Sequence, residues 1–116
     1  MKENVIKLKS FDFALRIVKL YQYLIEEKKE YILSKQLLRS GTAVGAMIRE
    51  SEHAESKSDF IHKLSVGLKE ANETEYWIEL LHKSNFIDEK SFQSIQNDIT
   101  ELLKLLTAII KTSKNR

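Results

Sequence analysis

An all-α, antiparallel up-down-up-down four-helix bundle is the fold this sequence predicts, and three observations lead there. The 116 residues contain no proline and only three glycines, so nothing forces long helices to break. Four stretches carry apolar residues at the 3–4 spacing of one helix face. Short polar breaks separate them, and short connections make sequence neighbours antiparallel. Residues 1–116 read as one domain. Helices of about 20–28 residues span roughly 30–42 Å, and both chain termini then fall at one end of the bundle.

The first helix is predicted from about Ser10 to Lys28. Phe11, Ala14, Val18, Tyr21 and Ile25 form its inner stripe, widened by Phe13, Ile17, Leu20 and Leu24. The second is predicted to start with Ser34 as N-cap, stapled by Leu33 and Leu38, and to run to about Ala54. Its inward residues are Leu37, Gly41, Val44, Gly45 and Ile48. Gly41 and Gly45 put two positions without side chains on one stripe. Glycine costs about 1 kcal/mol against alanine inside a helix, so close approach of another backbone is expected there.

The third helix is predicted from Ser56 or Ser58, with Asp59 completing a loose capping box, to about Asn85. Leu64, Leu68, Ala71 and Ile78 make its inner stripe. Val66, Tyr76, Trp77 and Leu80 fall on the opposite side. A helix apolar on two sides needs two partners, its own core and another surface. The fourth helix is predicted from Asp88, with Ile87 and Phe92 as a staple. It carries an unbroken repeat of Phe92, Ile95, Ile99, Leu102, Leu106 and Ile109.

Composition excludes several classes. With no cysteine there are no disulfides or thiolate metal sites. No apolar run reaches the length of a membrane span, and the N-terminal MKENVIKLKSFDF lacks the apolar core of a signal peptide, so a cytoplasmic protein is expected. The net charge of +2 does not by itself imply nucleic acid. Its distribution says more. Residues 1–19 hold five basic and two acidic side chains, residues 104–116 four basic and none acidic, and residues 73–101 seven acidic and two basic. With the termini together, Lys2, Lys7, Lys9, Lys111, Lys114 and Arg116 would form a basic patch, the candidate contact for RNA or DNA.

Candidate chemistry is sparse. Glu50/His53 and Glu79/His82 are Glu-x-x-His pairs of the kind that hold two metals in some bundles. His53 lies at the turn after the second helix and His82 about 24 residues along the third, roughly 36 Å away, so no metal site is expected. Glu75 and His82 fall on the inner stripe of the third helix and read best as locally satisfied buried polar groups. No serine has a His and an acid at a recognisable spacing, and SGTAVGA lacks the ending of a phosphate loop. Neither a catalytic residue nor a cofactor is predicted. Arg39, Ala43, Ala46 and Glu50 share an outward face of the second helix, a small-residue strip between opposite charges. Together with Val66, Trp77 and Leu80 they form the predicted interface between copies, since Trp is an interface anchor.

The segments 36–54 (QLLRSGTAVGAMIRESEHA), 56–64 (SKSDFIHKL) and 67–81 (GLKEANETEYWIELL) resemble the four-helix bundle proteins known as the 23S rRNA intervening-sequence protein family. The similarity runs from Phe11 to the ELLKLLTAIIKTSK tail. At Met47 the family usually has Asn, so any role of that amide is missing here. The resemblance implies a left-handed bundle assembling as a ring-shaped homopentamer. It also implies kinship with the accessory variability protein of diversity-generating retroelements, which partners a reverse transcriptase and binds nucleic acid. The expected function is a non-enzymatic homo-oligomeric scaffold that contacts RNA, DNA or a nucleic-acid-bound protein. The alternative is an oligomer that binds only proteins.

Overall fold

Helix α1 spans Lys2–Glu26 and so begins well before Ser10. The computed structural model describes residues 2–116, and side chains from Val5 onward. Ser10 is not a cap. Its Oγ donates to the Lys7 carbonyl oxygen at 3.1 Å within the helix, and the residue is buried. Its small side chain lies where α2 crosses closely. Helices α2 (Leu33–Ser51), α3 (Lys57–Lys83) and α4 (Glu89–Lys114) follow.

Packing is strictly between neighbours: α1 with α2, α2 with α3, α3 with α4, and α4 back to α1. Side-chain pairs fix the directions. Lys7 reaches Glu52 while Gly41 faces Ile17, so α1 and α2 are antiparallel. Glu50 reaches Lys63 while Ser40 pairs with Thr74, so α2 and α3 are antiparallel. Lys9 reaches Glu101 while Arg16 bonds to Ser94 and Asp98, so α4 runs against α1. The start of α1 and the end of α4 therefore share one end of a body measuring 46 × 21 × 19 Å.

The α1 core stripe is Ile6, Ser10, Phe13, Ile17 and Leu24. Phe13, Ile17 and Leu24, predicted as the flank of the inner stripe, are its centre, so the core direction is rotated by about 100° from the line of Phe11, Ala14, Val18, Tyr21 and Ile25. Phe11 and Val18, predicted inside, are 48% and 37% exposed. On α2 the predicted inward residues hold: Leu37, Gly41, Val44 and Ile48 are buried and Gly45 half-buried. A Cβ on Gly41 would stand 2.9 Å from Ile17, and one on Gly45 would stand 3.3 Å from the Ser10 carbonyl oxygen. The glycines are there for close packing. The α4 repeat is buried from Ile95 to Ile109.

Two of the three predicted caps stand. Ser56 accepts from the Asp59 amide at 3.0 Å, and Asp88 accepts from the Ser91 amide at 2.7 Å. At α2 the cap is Glu30, not Ser34. The Glu30 carboxylate accepts from the amides of Ile32, Leu33 and Ser34 at 3.2, 3.0 and 2.7 Å. The Ser34 hydroxyl donates back to the Glu30 carbonyl oxygen at 2.7 Å. One acidic side chain thus satisfies the first orphan donors of the helix. Partial burial opposes the Glu30 charge, but the amides of Leu33, Ser34 and Ile32 outweigh it and hold its pKa below the ordinary carboxylate value.

Candidate interaction surface

A second apolar stripe runs along α1. Val5, Leu8, Phe11, Leu15 and Val18 recur at 3–4 spacing, and all five are exposed, Leu8 by 63%. The stripe covers about 20 Å of helix. A contiguous apolar strip of this length is unusual on an isolated bundle, which makes it the candidate interaction surface. Beside it, between α1 and α2, lies a groove of about 410 Å³. It is lined by the small residues Ala14, Gly45 and Ala46 together with Phe11, Thr42, Lys7, Arg49 and Glu50. The Arg49 guanidinium sits 5.6 Å from the centre of the Phe11 ring, a cation–π contact that orients both side chains. The sequence carried this signal. The first helix, like the third, is apolar on two sides, and its second stripe is the more exposed.

The residues predicted as an interface are spread over two places. Ala46 and Glu50 line the α1–α2 groove, Glu50 at its border with the α2–α3 seam. Arg39 and Glu50 lie along the α2–α3 seam. Arg39 bonds Glu70 at 3.2 Å and makes a short contact with Glu73, and Glu50 pairs with Lys63 at 3.5 Å. Ala43, Val66 and Leu80 are half-buried. Trp77 does reach the core, contrary to the expectation that it points away: its ring packs against buried core residues. Its Nε1 donates to Glu73 at 2.9 Å. Hydrogen bonds from Trp77 and then Arg39 lower the Glu73 pKa, and Glu73 in turn raises that of Arg39. Tyr76, edge-on to Trp77, stays 58% exposed.

The basic residues at the termini are partly neutralised within the chain. Lys7 pairs with Glu52 at 3.0 Å and Lys9 with Glu101 at 3.1 Å. Lys111, Lys114 and Arg116 are exposed, and the Arg116 carbonyl oxygen accepts from Lys57. The side chain of Lys2 lies outside the described residues.

Glu75 and His82 do not sit at the centre of the α3 core face, which is Leu64, Gly67, Ala71, Thr74, Ile78 and Leu81. Both are half-buried. The His82 ring stacks on Phe92 at 3.9 Å and its Nε2 lies 2.9 Å from Glu89 Oε1, a contact across the α3–α4 turn. His82 is not fully satisfied locally: its buried Nδ1 has no hydrogen-bond partner among the described residues.

Residues 2–108 match the family described as 23S rRNA-intervening sequence protein, and the chain belongs to that family. It is also similar to a crystal structure of a protein of unknown function from the S23 ribosomal protein family of Bacteroides thetaiotaomicron VPI-5482. The two share 58% identity and a TM-score of 0.94 over 96% of this chain and 99% of that one. No curated protein matches. Among the described residues no helix is long and apolar enough to cross a membrane.

Proposed function

We propose that the protein is a non-enzymatic scaffold of identical left-handed bundles, five to a ring, that presents basic residues to RNA or to an RNA-bound protein. The α1 stripe carries this reading. Five exposed apolar side chains in register, next to a groove lined by Ala14, Gly45 and Ala46, have the composition of a surface meant to be covered. Two supports come from outside the geometry: the subunit number follows the family resemblance, and RNA is the molecule the family's description mentions.

Light scattering after size exclusion tests the assembly. Wild type should elute as an oligomer at micromolar concentration. Leu15→Asp, on the exposed stripe, should give monomers of unchanged helicity. A monomeric wild type would sink the proposal. RNA contact is tested by affinity from low to physiological salt. Substitution of Lys111, Lys114 and Arg116 by Gln should weaken binding and flatten its salt dependence, because fewer counterions are released. The ion pairs of Lys7 and Lys9 favour the second reading, an oligomer that binds only proteins. Salt-insensitive or absent RNA binding by an intact oligomer would decide for it.

A further inference from the structure

The end of the bundle away from the termini presents an apolar tip on a rigid turn. Ile32 is 75% exposed and Tyr31 54%. They are not on a loose loop. Glu30 bonds the first amides of α2, and its own amide returns to the Leu24 carbonyl oxygen at 3.0 Å. Lys29 occupies the left-handed region at φ 55°, a cost for a residue with a side chain. The turn is thus held in one shape, with its two most apolar side chains outward.

Beside the tip lies the run Glu26-Glu27-Lys28-Lys29. All four are exposed, and none makes an ion pair among the described residues. Glu26 closes α1, where the helix dipole disfavours acids, so helix stability does not explain it. The run is complementary to itself when reversed. Across a two-fold axis, residue i meets j and j meets i. Glu26 then faces Lys29 of the other copy and Glu27 faces Lys28. With as many acids as bases, the run is a poor match for a polyanion and a good one for its own copy.

We propose that this tip pairs with the same tip of a second copy, Tyr31 and Ile32 forming the apolar centre and the four charges its rim. Two side chains per tip fall well short of the roughly 800 Å² per partner of a stable interface. Pairing therefore needs several tips at once and rests on the self-assembly reading. A cyclic assembly repeats every tip on one side, so two assemblies meet face to face with multiplied affinity.

Sedimentation velocity at low ionic strength tests this with charge-swapped variants. Wild type should show a concentration-dependent doubling of the basic assembly mass, reversed by salt. Glu26→Lys/Glu27→Lys should stay at the basic mass to at least about tenfold higher concentration, as should Lys28→Glu/Lys29→Glu. An equimolar mixture of the two should double again. Ile32→Asp should abolish doubling by itself. A wild type that never doubles, or a mixture that stays single, overturns the pairing while leaving an intact assembly as evidence for the scaffold. A monomeric wild type fails the scaffold reading and with it the pairing, which needs several tips at once. Loss of affinity for an RNA oligonucleotide or an anionic vesicle in Ile32→Asp, without change in mass, also overturns the pairing and gives the tip to that partner.

Discussion

Single residues show where the close packing is specified. Gly41 lets α1 and α2 approach. Alanine there would place its methyl 2.9 Å from the branched carbons of Ile17, which cannot swing aside as a flexible chain end would. Overpacking of this kind costs about 1–3 kcal/mol. It outweighs the gain of about 1 kcal/mol in helix propensity. Gly67 differs, since an added Cβ meets Met47 at an ordinary 3.5 Å. Urea unfolding should find Gly41→Ala destabilised and Gly67→Ala stabilised by up to about 1 kcal/mol. Glu30 sets a pH dependence. Its pKa is depressed in the fold, so its contribution is present above the unfolded value and is lost as pH falls through the folded one. Glu30→Ala should cost about 1–2 kcal/mol at neutral pH. The gap from wild type should close below about pH 4.5, the ordinary carboxylate value. A gap that stays constant in acid would show that the cap does not act through its charge.

At the scale of helices, legibility followed pattern strength. The α4 repeat of Ile95, Ile99, Leu102, Leu106 and Ile109 has one apolar solution, and it is buried. The caps Ser56 and Asp88 were readable because each immediately precedes its helix. Helix α1 misled because it has two apolar stripes, and periodicity alone cannot say which faces the core. Glu30 escapes recognition as a cap because its long side chain reaches forward to the amides of α2 from outside the usual Ser/Thr/Asp/Asn position. The candidate interaction surface was least legible. It requires knowing which stripe the core leaves uncovered. Trp77 illustrates the difference, since its ring packs on the core and anchors Glu73 and, through it, Arg39. Trp77→Ala should lower the stability of the fold by about 2–4 kcal/mol, toward the range for large core residues. Leu15→Asp should leave thermal unfolding of the isolated subunit nearly unchanged. Equal losses in the two would mean that α1 packs by its other face.

For the whole molecule, three of the four helix seams join neighbours in sequence, and only α1–α4 joins distant segments. Arg16–Asp98 at 2.5 Å and Lys9–Glu101 at 3.1 Å lie on that seam. This arrangement bears on how the chain finds its fold. Loop-closure entropy is small for adjacent helices and largest for the last seam. Proteins dominated by local contacts fold in microseconds to milliseconds. The expected order is pairwise growth from any adjacent hairpin, with α1 and α4 meeting last. Phe13, buried at the α1–α4 seam, reports on that step. Stopped-flow chevrons on a subunit made monomeric by Leu15→Asp should show Phe13→Leu speeding unfolding and leaving refolding almost unaltered. A slowed refolding limb would instead place the distant seam in the nucleus, and the bundle would then fold by closing its ring of helices first.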